Sequence, residues 1–365
     1  METDRRLAVR QLKKAVDEAQ RILIAAHVNP DGDTIGAALA LAHGLALGKE
    51  VVAVCSDPVP ANLRFLPGWE KIISAKESPD AIKQLGEQEF DLAIIVDLSA
   101  ATRLGGVQTL VEDAKQLAIV DHHEAAGLVP DGIHVGWPDY AATCLILHEV
   151  LAHLGVPITS KIAQCLLAGI ATDTGNFKFR NTDPKALRAA ADLLEMGGDI
   201  TQINEEIWDR KPLPALKLLA RALSNLRLSA KGRVVISCLS LQDYKDSGAS
   251  EEHSENIVNA VGSVKTAQVF ALFREGKGGK VRVSLRSHGD VDVARICSRY
   301  DGGGHINAAG CTFESTLESA METLVPVLER AVRARKSRAK KSGGGPSAIV
   351  RRPPTVDRRR GAFSG

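Results

Sequence analysis

The sequence predicts an α/β protein: a doubly wound parallel sheet in the N-terminal part, followed by a smaller α/β domain. Three observations lead there. Four short, almost continuously apolar segments, RILIAAH, EVVAVCS, DLAIIVD and QLAIVDHH, alternate with helix-patterned stretches in the first third of the chain. Strands apolar on both faces belong to a parallel sheet covered on both sides. Polar motifs stand directly after three of these segments, at the carboxyl ends where such sheets bind ligands. Beyond residue 217 the pattern changes: RVVISCLS, AQVFALFRE and KVRVSLRS alternate, as strands half exposed to solvent do.

Residues 4–20 have the spacing of an amphipathic helix. Asp33 to Leu47 is rich in small residues and predicts a helix packed on both sides. Residues 140–196 read as helices around the turn GIATDTG. The signal weakens from about 198 to 216, where Lys211-Pro212-Leu213-Pro214 interrupts the periodicity and marks a linker. REGKGGKV predicts a hairpin turn, and residues 315–332 a closing helix. From Arg333 onward eleven basic residues face one acid, Asp357, with too little apolar content to fold. The expected organisation is a first domain over 1–200, a linker over 201–216, a second domain over 217–332 and a disordered basic tail over 333–365. At 365 residues the chain can bury two cores.

Six widely spaced cysteines without a CxxC pair read as free thiols in a reducing compartment. There is no positive-then-apolar leader and no apolar run of about 20 residues. A soluble cytoplasmic protein without membrane contact is expected. Net charge is +2, with the tail basic and the remainder mildly acidic.

The chemistry concentrates in His27-Val28-Asn29-Pro30-Asp31-Gly32-Asp33, Asp97, Asp121-His122-His123 and Asp173. Ionisable groups at the ends of buried segments are costly without counter-charge. A pair of divalent cations supplies it and makes a hydrolase site. Asp31 and Asp33 are two apart and can face different cations. His122 and His123 alternate faces, so one can bind metal while the other reaches substrate. Singly, each has a plainer reading: Asp33 as a helix N-cap, His27 as a core histidine, Asp97 as a turn acid, Asp173 as a helix-terminal cap. Together, at one sheet edge, they point to a site. Carboxylate and imidazole without thiolate favour manganese, iron or magnesium over structural zinc, and imidazole argues against magnesium alone; manganese is the expected ion. Arg103 is a candidate phosphate or carboxylate partner, with a plain surface arginine as the alternative. In the second domain, the Arg286 fork and the glycine run Gly302-Gly303-Gly304 before His305 suit an anion.

HVNPDGD, VDLSAATRLG, VDHH and GIATDTGNF resemble the motifs of the DHH phosphoesterase superfamily. VSLRS, VDVARI and GGGHINAAG resemble those of the DHH-associated domain. In order, they cover most of residues 15–330. The nearest group is that of short-form oligoribonucleases that also act on 3′-phosphoadenosine-5′-phosphate (pAp). The resemblance implies that His27 and Asp31 hold one metal, that Asp33, His122 and Asp173 hold the other, and that Asp97 bridges them. Asp121 would orient its neighbours, and His123 would lie toward the reacting phosphate. Arg286, Gly302, Gly303, Gly304 and His305 would take the substrate's far end, across an active-site cleft between the domains.

The implied activity is metal-dependent hydrolysis of RNA a few nucleotides long to mononucleotides, and of pAp to AMP. Phosphodiesterase action on linear or cyclic dinucleotides is the alternative within the superfamily. A processive single-strand exonuclease fits less well, because aromatic residues are only 4% of the chain, too few for a long stacking channel. A different class, a nucleic-acid-binding protein with a dead phosphoesterase fold, conflicts with the intact ligand set. The tail reads as an RNA tether, a partner-binding arm or a solubilising extension, with nonspecific nucleic-acid contact favoured, and a second copy of the chain is a further expected partner. Two departures stand out. Ala126 occupies a position where family members often carry Asn, and Asp301 one where many carry a fourth glycine.

Overall fold

The first sheet is built from Arg21–Ala26 (β1), Glu50–Cys55 (β2), Ile72–Ser74 (β3), Leu92–Val96 (β4), Leu117–Asp121 (β5) and Ile133–Gly136 (β6). Their order is β3-β2-β1-β4-β5-β6, and every pairing is parallel. The computed structural model describes residues 2–98, 100–123 and 131–341. Its chain divides into two compact units between Arg210 and Lys211.

The continuous apolar run of β1 has a direct physical cause. Ile22, Ile24 and Ala26 enter the core on one face of the sheet, and Leu23 and Ala25 the core on the other. Central strands thus have no polar side. β3 and β6 lie at the two edges. They are short, and β6 buries only Val135; neither has the apolar run that marks a strand in the sequence.

The helices of this unit are Glu2–Glu18 (α1), Gly32–Leu45 (α2), Pro79–Leu85 (α3), Gln108–Glu112 (α4), Thr143–Leu154 (α5), Ser160–Asp173 (α6), Pro184–Glu195 (α7) and Ile200–Asn204 (α8). α2 and α6 approach so closely that their glycines become steric requirements. A Cβ on Gly36 would lie 2.4 Å from the Cys165 carbonyl oxygen. One on Gly169 would lie 2.3 Å from Cys144 Sγ and 2.8 Å from Asp33 Oδ1. Gly36→Ala should therefore destabilise the protein by about 1–3 kcal/mol through overpacking. Thermal unfolding reads this as a fall of several degrees in Tm; an unchanged Tm would show that the helices can part without cost.

The region expected to be a linker is structured. α8 is capped by Asp199, which accepts from Gln202 N at 3.0 Å, and runs into a π-helical turn at Glu205–Asp209. Ile203 and Ile207 belong to the first core. The next helix, Leu213–Ser224 (α9), carries Pro214 in its first turn, where a missing N–H costs nothing. The proline that seemed to break periodicity begins a helix instead.

The second unit holds Arg227–Ser229 (β7), Val234–Leu239 (β8), Val269–Gly276 (β9), Lys280–Ser287 (β10), Gly303–His305 (β11) and Ala308–Glu314 (β12). Their order is β11-β12-β10-β9-β8-β7. β8 and β9 are parallel, and the other pairs antiparallel. The β9–β10 turn uses Gly278 and Gly279 at φ +75° and +71°, as the sequence predicts. α9, Leu241–Ser247 (α10) and Ile257–Val261 (α11) cover one face. Val293–Cys297 (α12) and Leu317–Lys341 (α13) cover the other.

α13 continues past Val332, where the sequence reading ends the fold, so residues 333–341 are helical rather than disordered. The remainder of the tail and Ala126 lie outside the described residues. All six cysteines are free thiols. Among the described residues no helix is long and apolar enough to cross a membrane.

Candidate metal centre

After β1 the chain moves outward through β2 and β3, then returns to place β4 on the other side of β1. Neighbouring connections leave β1 and β4 in opposite directions, which opens a crevice at their carboxyl ends. His27 follows β1 and Asp97 follows β4. Asp121 ends β5, with His122 and His123 after it. Asp31 caps α2, and Asp173 is the last residue of α6.

The N-cap role falls to Asp31, not Asp33. Its Oδ1 accepts from Asp33 N at 3.1 Å and Thr34 N at 3.0 Å. Asp33 is fully buried and serves a different helix, accepting from Thr143 N at 2.6 Å and Cys144 N at 2.8 Å in the first turn of α5. A carboxylate there meets unpaired backbone donors and the positive end of the helix dipole.

Asp97 is the meeting point. Its Oδ1 lies 3.5 Å from His122 Nε2 and 3.4 Å from His123 Nδ1, and its Oδ2 lies 3.4 Å from His27 Nε2. Its φ of +58° is left-handed, a conformation that costs a non-glycine residue on the order of 1 kcal/mol or more and gathers at functional sites. Thr34 Oγ1 donates to Asp97 Oδ2 at 2.6 Å and lies 2.6 Å from His27 Nε2. His27 Nδ1 donates to the Val28 carbonyl at 2.7 Å. Arg103 Nη2 comes within 3.0 Å of the same ring.

The titration of these groups follows from their crowding. Burial alone would raise Asp97, but the His27 hydrogen bond and the charges of His122 and His123 hold it well below the usual carboxylate range. Burial pushes Asp33 well up, and Asp173 and Asp97 push it further. Asp173 rises to about 7, through burial and the nearby Asp31, against the pull of His122. His122 rises to about 10, because its bond to Asp173 and the charges of Asp33 and Asp97 outweigh its burial. His27 is raised by Asp97 in spite of burial.

His122 Nε2 lies 3.1 Å from Asp173 Oδ2, while its Nδ1 faces the Tyr140 carbonyl at 3.3 Å. His123 Nδ1 lies 2.7 Å from Asp121 Oδ1. Among the described residues, ligand atoms within 4.8 Å of one another form three groups: His27, Asp31 and Asp97; Asp33, His122 and Asp173; and Asp97, His122 and His123. These donors fit a divalent cation, being carboxylate oxygens and imidazole nitrogens that crowd together and hold protons for want of other positive charge. Cys144 is not among them: burial keeps its thiol protonated, and its Sγ bonds the Asp33 carbonyl at 3.4 Å.

The second unit holds the remaining candidates. Cross-strand register places Gly303 opposite Gly310 and Gly310 opposite Ser284, with Arg286 two residues further along β10. Gly303, Ser284 and Arg286 thus share one sheet face. Gly302 and Gly304 are demanded by the fold, since a Cβ would sit 2.2 Å from the Gly310 carbonyl or 2.4 Å from the Ala308 carbonyl; a Cβ on Gly303 would meet nothing within 4 Å. His305 ends β11. Asp301 adopts φ +53°, a conformation glycine takes without strain and Asp tolerates. The sequence reading missed Thr34 and Thr143, whose Oγ1 lies 3.3 Å from Asp97 Oδ1. A hydroxyl directly after DGD was the only local signal.

Carboxylates and imidazoles gathered at the switch point of a doubly wound sheet define a phosphoester hydrolase, and the chain belongs to the DHH family. The DHH family N-terminal domain matches residues 21–170, and the DHHA1 domain matches residues 231–334. More particularly, the chain is similar to the bifunctional oligoribonuclease and PAP phosphatase of Thermus thermophilus. The two are 38% identical over 328 residues, covering 87% of this chain and 93% of that protein. The Bacillus subtilis protein of the same description is 26% identical over 315 residues, covering 84% and 93%. Among solved structures, an exopolyphosphatase-related protein from Bacteroides fragilis matches with a TM-score of 0.82 and 26% identity, covering 92% of this chain and 98% of that one.

Proposed function

We propose that the protein hydrolyses very short RNA oligonucleotides to mononucleotides and pAp to AMP, with two divalent cations, manganese foremost. The observation that carries this reading is the pairing of two donor groups, His27–Asp31–Asp97 and Asp33–His122–Asp173, at one sheet edge. The activity of the similar Thermus and Bacillus proteins supports the substrate class. When bound, such cations supply positive charge for the phosphoryl oxygens and make water a better nucleophile at neutral pH. Asp97 stands within reach of both groups and would serve both. Thr34 fixes the Asp97 carboxylate and the His27 ring together. Asp121 orients His123, which would meet the phosphoryl oxygens, and Arg103 would add a second positive contact.

In the second unit, Arg286 and the open backbone at Gly303 would bind the substrate's terminal phosphate or nucleotide. Arg286→Ala should lower kcat/KM on a dinucleotide by about 10- to 100-fold, the value of one charge-assisted contact of about 1.5–3 kcal/mol. Bis-p-nitrophenyl phosphate, which has no terminal group to grip, should lose much less. Equal losses on both substrates, or loss of bound metal, would remove Arg286 from substrate recognition. The substrate reading itself is tested with a 5′-labelled dinucleotide, pAp and a long single-stranded RNA compared side by side with manganese. Fast turnover of the first two and slow turnover of the third is expected; preference for the long strand would refute it.

A further inference from the structure

A cavity of about 750 Å³ opens on α1, beside α5, the start of α7 and the segment that joins β6 to α5. It shares no lining side chain with the candidate metal centre. α1 contributes Arg5, Arg6, Arg10 and Lys13, and the start of α7 contributes Lys185. Five cations thus face one lining carboxylate, Glu149, whose Oε1 accepts the Tyr140 hydroxyl at 2.8 Å. Lys13 also pairs with Asp17 at 3.0 Å, yet cations predominate in the lining, and a concave surface where one sign of charge predominates focuses potential and attracts counter-ions. Its volume suits a small molecule.

Two aromatic rings, Trp137 and Tyr140, also line the cavity but are only 5% and 8% exposed. Cations lie against both. The Arg5 guanidinium carbon lies 5.3 Å from the Trp137 centroid and 5.6 Å from that of Tyr140, and Lys185 Nζ lies 4.2 Å from the latter. Rings so buried offer little for a base to stack on; they seat cations instead. Recognition therefore rests on charge. Arg6 and Lys13 are two helical turns apart, about 10 Å along the axis, a span that one phosphate cannot bridge and a chain of several can. Guanidinium forks suit phosphate oxygens in particular.

We propose that this cavity is a second anion site that binds an oligophosphate chain, either the tail of a nucleoside polyphosphate or free inorganic polyphosphate. The floor connects it to the catalytic motif. Trp137 N donates to the Asp121 carbonyl at 3.0 Å, and the Tyr140 carbonyl faces His122 Nδ1. Asp139, in the same segment, pairs with both Arg5 and Lys185. An oligophosphate that draws those two cations away from Asp139 acts on the segment that holds Asp121 and His122.

The test is calorimetric titration of the full chain in excess chelator at low salt, with tripolyphosphate, ATP and inorganic phosphate as titrants. One equivalent of tripolyphosphate should bind, with ATP comparable and inorganic phosphate at least tenfold weaker. Arg10→Glu/Lys13→Glu should weaken tripolyphosphate at least tenfold, with Arg10→Gln as the milder variant if the double reversal does not fold. Binding should persist in Asp97→Ala and in Arg286→Ala. A greater affinity for ATP than for tripolyphosphate would assign the nucleotide as source, and the reverse order the free chain. Absence of tripolyphosphate binding, equal affinity in the Arg10 variants, or loss of binding in Asp97→Ala or Arg286→Ala would overturn the proposal.

Discussion

Asp97→Asn should lower phosphoester hydrolysis by roughly 10³-fold or more, as loss of a preorganised charge at a reacting centre does, while the chain stays folded. Asn is the sharper substitution, because it accepts the left-handed backbone at this position, whereas Ala adds backbone strain to the lost carboxylate. The reason for so large an effect is geometric. Three imidazoles converge on this one side chain at 3.4–3.5 Å, and it can serve both donor groups. The measurement is kcat/KM on a dinucleotide, with metal content by elemental analysis and unfolding followed by circular dichroism. A rate within tenfold of the parent would show that Asp97 is not shared between metals.

Removal of divalent cations should abolish turnover, and added manganese should restore it. The cation-free cluster retains protons that a metal must displace, because ligands bind in their deprotonated form. Asp173 near 7 and His122 near 10 are the groups concerned, together with the raised Asp33. Protons compete with the cation below these values, so affinity must rise with pH. The gain per pH unit should be steeper below 7, where Asp173 still holds its proton, and shallower above it. Calorimetric titration with manganese in buffers of different ionisation enthalpy counts the protons released. Undiminished turnover in excess chelator, or affinity that falls between pH 6 and 8, would defeat the assignment.

Much of this was legible in the sequence because the central strands are buried on both faces. Ile22 to Ala26 had to be apolar at every position, and the polar residue that ends such a run stands out. The edge strands were not legible, since Ile133 to Gly136 needs to bury only Val135. Pairing at an edge is a tertiary event with little local trace. The same holds for Asp33. Its neighbours in sequence suggest a cap for its own helix, while its partners Thr143 and Cys144 lie 110 and 111 positions away. The helix of residues 200–209 was hidden by polarity and the prolines beyond it. Thr34 looked like any first-turn threonine until Asp97 and His27 were placed around it.

The order in which the donors leave the ribosome differs from the order in which they become useful. His27, Asp31 and Asp33 are synthesised first, yet β1 gains its neighbour β4, and with it Asp97, only after β2 and β3 have been made. Asp173 comes last, at the far end of α6, the helix that packs closely on α2. A nascent chain halted before α6 lacks Asp173 and so leaves the Asp33–His122–Asp173 group one donor short. If these residues ligate the metal, the choice among the cell's cations would fall to a cradle already assembled, and an ion caught by the early loop on its own would be held by two or three ligands and could still be exchanged.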